Sequence, residues 1–114
     1  MAASESDIVP PVAVARAAAK GLKLREQFKR GGTSVGLRRA RQLVDRAAVS
    51  PRDITAISSY FKRHRVDQDS TSHAWGDAEN PSAGYIAWLL WGGDAGEKWA
   101  DAKKAKQQKA TRTS

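Results

Sequence analysis

The sequence predicts an all-α fold, a compact bundle of four to five short helices between disordered termini. Apolar residues recur at helical spacing along most of the chain, and no segment alternates between apolar and polar residues as a strand does. Glycine and proline stand between these segments, where helices end and begin. A chain of 114 residues supports one core. We therefore expect a helical domain at 10–102, a disordered tail at 1–9 and a basic tail at 103–114.

The first predicted helix begins at Pro10-Pro11 and runs from Val12 to Lys29. Proline is tolerated in a first helical turn because its missing N–H would have no partner there. One stripe of this helix is apolar, and the basic residues lie largely off that stripe. Gly21 interrupts the pattern and indicates either a kink or a close packing contact.

The second predicted helix spans about 35–47. Arg30-Gly31-Gly32 ends the first helix, and Thr33 or Ser34 can cap the second by accepting a hydrogen bond from a free backbone N–H. The same glycine-rich turn offers N–H groups and hydroxyls at a helix start, which suits either a phosphate of a nucleic acid or an ordinary turn between helices.

The third predicted helix begins at Ser50-Pro51, an N-cap followed by proline, and has its apolar side at 54–61. With the second helix it resembles a helix-turn-helix, in which Arg52, Asp53, Thr55 and Ala56 would reach base edges. Arginines of the second helix would then contact phosphates. A plain helical hairpin uses the same capping and turn residues, and Ala48 stands where the motif most often has glycine. Both interpretations therefore stay open.

The last two predicted helices follow a polar, acidic loop at 66–79. The fourth helix spans about 83–91 and ends at Gly92-Gly93. Asp94 and Glu97 then form a capping-box-like pair for a fifth helix, which dissolves into the basic tail. The four tryptophans lie mostly in this acidic half at helical spacing, which favours core packing over stacking on unpaired bases.

The chain is strongly basic, with 20 Lys and Arg against 12 Asp and Glu and a net charge of +8. Residues 16–65 hold 14 of the basic residues and three acids, whereas residues 66–97 hold six acids and no Lys or Arg. A segment with this positive charge favours binding of a polyanionic partner over the alternative of an ordinary solvated face. Of the nucleic acids, we expect DNA rather than RNA. The predicted nucleic-acid contacts are Lys29, Arg30, Thr33, Arg38, Arg39, Arg41, Arg52, Thr55, Lys62, Arg63 and Arg65.

Several classes of function find no support in the sequence. The absence of cysteine removes disulfides, zinc–thiolate sites and thiol nucleophiles. The two histidines have no spaced carboxylate partner, and 67–73 lacks the glycine and glutamate of a calcium loop, so we expect no metal, no cofactor and no enzyme activity. No apolar run reaches the roughly 18 residues of a membrane span. The acidic N-terminus is unlike a secretory signal, so we expect a location in the cytoplasm or in a virion.

Several short motifs together resemble a small domain of tailed-phage and prophage proteins. The motifs are Gly21-Leu22-Lys23-Leu24-Arg25, Gly31-Gly32-Thr33, Arg39-Ala40-Arg41-Gln42-Leu43, Ser59-Tyr60-Phe61-Lys62-Arg63-His64 with Val66-Asp67, and Pro81-Ser82-Ala83-Gly84 with the run from Ile86 to Ala100. They cover about residues 10–102, and the Trp91-Gly92-Gly93-Asp94 ending is the most specific of them. The resemblance implies a phage origin and, for some relatives, genes near head-morphogenesis functions. It carries no catalytic or binding residues.

Two functions follow as hypotheses. The first is a non-enzymatic protein that binds nucleic acid, duplex DNA before other forms, through the basic helices. The second is a virion or head-assembly protein that acts through a partner or as a homo-oligomer. An enzyme would need a pocket that holds His64 or His73 beside a carboxylate.

Overall fold

The computed structural model describes residues 8–64, 79 and 81–113, with side chains as far as Gln108. Its helices confirm the all-α prediction for this part of the chain. They are α1 (Val12–Phe28), α2 (Ser34–Val44), α3 (Pro51–His64), α4 (Ala83–Leu90) and α5 (Gly93–Thr113). The predicted acidic loop, apart from Glu79, lies outside the described residues, and so does Trp75 within it. None of the described helices is long and apolar enough to cross a membrane.

α4 is the centre of the bundle. Five of its eight residues are buried, and it contacts each of the other four helices. A helix that is apolar on every side is stable only when other elements surround it. α1 packs against α2 and α5, and α5 packs against α3, which gives the order α2, α1, α5, α3 around α4. In the described part of the chain, α2 and α3 are the neighbours that approach each other least, and a cleft lies between them.

Gly21 lets the backbones of α1 and α4 approach closely. A Cβ atom at Gly21 would lie 2.8 Å from the backbone nitrogen of Leu90 and 2.9 Å from Cβ of Leu89. The helix continues through this residue from Val12 to Phe28. Of the two interpretations of Gly21 from the sequence, the structure therefore supports close packing.

Gly21→Ala is expected to lower the free energy of unfolding by about 1–3 kcal/mol, because the added methyl group meets backbone atoms that cannot rotate away. At an unhindered helical position the same change stabilises a protein by up to about 1 kcal/mol. Gly36→Ala is the matched control, since a Cβ there would lie 3.4 Å from Nε1 of Trp91, an ordinary contact. Urea unfolding of both variants measures the difference. Equal stability of the two variants would contradict the close approach of α1 and α4.

Hydrogen-bonded caps fix the ends of the helices. Thr33 caps α2, with Oγ1 accepting a hydrogen bond from the Gly36 N–H at 3.3 Å, which confirms one of the two predicted caps. α2 ends at Val44, three residues earlier than predicted. The reason is that Arg46 adopts the left-handed region at φ 52°, and the next N–H, that of Ala47, donates back to the Gln42 carbonyl at 3.2 Å.

The prediction of a disordered tail at 1–9 is wrong at its last residues. Ile8 and Val49 exchange two backbone hydrogen bonds, of 2.8 and 3.4 Å, and Val49 is buried. Nε of Arg46 also donates to the carbonyl of Pro10 at 2.9 Å. The turn between α2 and α3 therefore holds the segment before α1, because the buried backbone of Val49 needs partners that its own turn does not supply. Residues 1–7 lie outside the described ranges.

α5 continues to Thr113, although the sequence predicts that the fifth helix dissolves at about residue 103. The helix runs antiparallel to α3. A Cβ atom at Gly96 would lie 3.5 Å from the Phe61 ring, and Oγ of Ser58 donates to Oδ1 of Asp101 at 2.6 Å. Further along α5, Gln107 is still half-buried. A packing partner therefore supports the helix beyond the point at which its apolar pattern fades.

The prediction that the tryptophans form the core is confirmed for the three that the structure describes. Trp88, Trp91 and Trp99 are at most 9% exposed. The ring of Phe61 packs edge-on against Trp88 with 4.7 Å between centroids, which joins α3 to the central helix. These tryptophans are therefore not free to stack on bases.

Candidate nucleic-acid interface

The predicted nucleic-acid contacts differ in accessibility. Arg30 and Arg39 are partly buried, and Arg65 lies outside the described residues. The others are exposed: Lys29, Thr33, Arg38, Arg41, Arg52, Thr55, Lys62 and Arg63. Most of the predicted set is therefore on the surface, and the two partly buried arginines need a separate explanation.

Three of the predicted contacts use their polar groups to hold the fold. Nη1 of Arg30 donates to the carbonyl of Pro81 at 3.2 Å, which ties the α1–α2 turn to the start of α4. Oγ1 of Thr33 caps α2. Oγ1 of Thr55 donates to the carbonyl of Pro51 one turn earlier, at 3.1 Å. These hydrogen bonds give each of the three side chains a local structural role.

Arg39 is built into the packing between α2 and α3, which corrects its prediction as a phosphate contact. Its side chain is 14% exposed, and Nη1 lies 3.1 Å from Oδ1 of Asp53. Nη1 also donates to Oε1 of Gln42 at 2.6 Å, and the guanidinium carbon lies 5.3 Å from the centroid of the Trp91 ring. Arginine is suited to such a position because its planar group forms ion pairs at its edge while its face stacks on an aromatic ring.

A stack of rings continues from Arg39 into the core. The rings of Trp91 and Tyr60 lie parallel within 4°, with 4.4 Å between centroids. The ring of His64 stacks on Tyr60 at the same distance. The stack therefore joins α2, the end of α4 and the last turn of α3.

The cleft between α2 and α3 has a volume of about 370 Å³. Its lining consists of Val35, Arg38, Arg39, Gln42 and Asp53. The carboxylate of Asp53 accepts hydrogen bonds from Nε2 of Gln42 and from the backbone N–H of Ser50, each at 3.2 Å. Because Arg39 neutralises this carboxylate, the one acid in the cleft does not offset the charge of Arg38 at its rim.

The pKa of Asp53 lies below its ordinary value. Burial on its own would raise this pKa, but hydrogen bonds from the Ser50 N–H, Arg39 and Gln42, together with the charge of Arg39, outweigh the burial. The Asp53 N–H in turn donates to Oγ of Ser50 at 3.1 Å, which completes a reciprocal cap at the start of α3. Ionised Asp53 therefore stabilises both the helix start and the α2–α3 contact.

Asp53→Asn is expected to lower the free energy of unfolding by about 1 kcal/mol at neutral pH, because the ion pair with Arg39 is lost while the cap at Ser50 is partly kept. A carboxyl whose folded pKa is depressed stabilises the fold above its unfolded pKa, and that contribution disappears as the pH falls through the folded pKa. The melting temperatures of the two proteins should therefore converge between about pH 4 and more acidic pH. A constant difference down to strongly acidic pH would contradict the role of the ionised group.

The outer faces of α2 and α3 are cationic. On α2, Arg38 and Arg41 lie opposite the side that buries Gly36, Ala40 and Leu43. Between residues 29 and 64 the structure exposes one acid, Asp45, against seven cations. These cations are Lys29, Arg38, Arg41, Arg46, Arg52, Lys62 and Arg63. We refer to Arg38, Arg41, Arg52, Lys62 and Arg63 as the α2–α3 basic surface.

The packing gives little support to the helix-turn-helix interpretation. α2 packs chiefly against α1, and α3 packs chiefly against α5, whereas a helix-turn-helix requires its two helices to pack on each other. In the described residues, α2 and α3 are joined by side chains across the cleft, Arg39 and Gln42 to Asp53. Of the predicted base-reading residues, Thr55 already uses its hydroxyl within α3.

The structural role of Arg39 could have been found from its spacing. Arg39 lies three residues after Gly36 and four before Leu43, which places it on the flank of the buried stripe of α2. Such a flank faces a neighbouring element rather than open solvent. The identity of that neighbour, Asp53 with Trp91, depends on the tertiary arrangement and has no signal in the sequence.

The described residues contain no group of three or more His, Asp or Glu side chains that could hold a metal ion. No protein-family model matches the chain, and comparison with curated proteins and with solved structures likewise gives no significant match.

Proposed function

We propose that this protein binds nucleic acid, duplex DNA before other forms, through the α2–α3 basic surface and without catalysing a reaction. The observation that carries the proposal is the excess of seven exposed cations over one exposed acid between residues 29 and 64. Cations at a surface gain affinity for a duplex by displacing the counterions that its phosphates hold. A surface of this kind contributes affinity for the backbone of DNA without reading its sequence.

The cleft supports the same proposal because its acidic side chain is already paired and does not neutralise the cations of the basic surface. Arg39 neutralises Asp53, so that carboxylate does not offset the charges of Arg38 and Arg41 on the outer face. The ring stack beneath Arg39 links α2 to α3, and the cations of both helices are therefore presented on one frame. A fixed frame lowers the entropy that binding would otherwise cost.

A salt-titrated binding assay of the full chain against duplex DNA, single-stranded DNA and RNA tests the proposal. We expect tightest binding to the duplex and an affinity that falls steeply as the salt concentration rises, with a slope of about −0.9 for each phosphate contacted. Absence of binding at low salt, with a stable oligomer in light scattering, would instead favour the assembly hypothesis. The resemblance to a tailed-phage domain and a location in the cytoplasm or virion stay predictions.

A further inference from the structure

We propose that the protein bridges two DNA duplexes, with the second duplex bound by a separate cationic surface on α1. This inference rests on the proposed function, since the first duplex occupies the α2–α3 basic surface. The additional surface consists of Arg16, Lys20 and Lys23, which we call the α1 basic surface. None of these residues belongs to the contacts predicted from the sequence.

The α1 basic surface is a continuous line of exposed cations. Arg16, Lys20 and Lys23 are spaced by four and three residues, so they lie above one another on one side of the helix. All three are exposed, and Glu26 is the one acidic residue of α1. The line rises about 10 Å along the helix axis. Over that length a duplex carries about six phosphate charges, twice as many as a single strand, so a duplex offers the line the denser counter-charge.

The α1 basic surface and the α3 part of the α2–α3 basic surface face different sides of the bundle. The buried side of α1, which includes Gly21, packs on Leu89 and Leu90 of α4, so Arg16 and Lys23 lie on the side of α1 that faces away from α4. On α3, Phe61 packs on Trp88 of the same central helix, and Arg52 and Arg63 are exposed on its outer side. α1 and α3 each contact α4 and α5, which lie between them. A rigid duplex along the outer side of α3 therefore does not reach the α1 basic surface, and we assign that surface to a second duplex.

The contacts of Lys20 decide which residues to change. Nζ of Lys20 donates to Oη of Tyr85 at 3.3 Å and lies 5.9 Å from the centroid of that ring, so its side chain also covers part of the core. Arg16 and Lys23 are the better targets, because both are exposed on the same line of α1. Arg16→Glu with Lys23→Glu reverses most of the surface and leaves the contact with Tyr85 in place.

A capture assay tests the inference. One short duplex is fixed to beads, a second fluorescent duplex is added with the protein, and the captured fluorescence is measured beside the affinity for a single duplex. We expect the Arg16→Glu/Lys23→Glu variant to capture at least about tenfold less second duplex, while its affinity for one duplex changes by less than about threefold. Lys98→Glu/Lys106→Glu on α5 is the matched control, because it changes the net charge equally at exposed positions outside both surfaces.

The possible failures are distinguishable. Capture by the α1 variant at the level of the unchanged protein would overturn the inference, because two associated copies could then bridge through their α2–α3 basic surfaces alone. Binding of one duplex by the unchanged protein without capture of a second would also overturn it, and the proposed function would stand. Absence of binding to any duplex would overturn the proposed function itself.

Circular dichroism of each variant shows whether a loss of capture comes from unfolding. An equal loss of capture in the α5 control would attribute the loss to net charge and reject the α1 basic surface.

Discussion

Replacing both Arg38 and Arg41 by Glu is expected to lower the affinity for duplex DNA roughly 100-fold at low salt. Both side chains are exposed on the outer face of α2, away from its buried side. Each change removes one cation and places a carboxylate where a phosphate would lie, so attraction becomes repulsion. The slope of the logarithm of the affinity against the logarithm of the salt concentration should also become shallower, by the equivalent of about two phosphate contacts.

The control for this prediction is again Lys98→Glu/Lys106→Glu, which lowers the net charge by the same amount at exposed positions of α5. Long-range attraction should weaken slightly in the control, whereas the contact-dependent loss should be confined to the α2 variant. Gel-shift titrations at several salt concentrations measure both quantities. Equal losses in the two double variants would show that net charge, and not the α2–α3 basic surface, determines binding.

Trp88→Ala is expected to destabilise the fold by about 3–5 kcal/mol. Trp88 is 1% exposed, its ring contacts Phe61, and its Nε1 donates to Oδ1 of Asp94 at 2.9 Å. Its removal would leave a large void beside the helix that all the other described helices contact. Domains of this size are stable by about 5–15 kcal/mol in total, so the variant should be partly unfolded at moderate temperature.

Trp88→Phe separates packing from hydrogen bonding at this position. Phenylalanine keeps an aromatic ring against Phe61, and the carboxylate of Asp94 is exposed and can turn to water. We expect a loss of about 1–2 kcal/mol, well below that of the alanine variant. Urea unfolding followed by circular dichroism measures both. If the two variants were equally stable, the ring at this position would not be the centre of the core.

The helices were predictable because their signals are local. Thr33 and Ser50 cap the helices that follow them, and Gly31-Gly32 interrupts the chain between the first two helices, as their residue types indicate. The pairing of Ile8 with Val49 was not predictable, since it joins two segments with no periodic pattern. The extension of α5 through the basic tail depends on α3 beside it, and a packing partner is invisible in a window of neighbouring residues.

The exposed cations of the candidate surface were predictable from helical spacing, as Arg38 and Arg41 illustrate. The contacts of Arg39 with Asp53 and Trp91 were not predictable, because Asp53 lies on another helix and Trp91 lies in a turn far along the chain. The separation of the basic residues into two surfaces is likewise a tertiary property. It follows from the central position of α4 and not from the charge of any one segment.

The late place of α4 in the chain affects how the protein is made. The contact between Lys20 and Tyr85 joins residues 65 positions apart, and α1 to α3 all leave the ribosome before the helix around which they pack. The apolar residues of these helices that pack on α4 remain uncovered until residues 83–90 have been synthesised. Such distant contacts slow folding compared with bundles of sequential hairpins, and apolar surface that stays exposed during that interval favours aggregation.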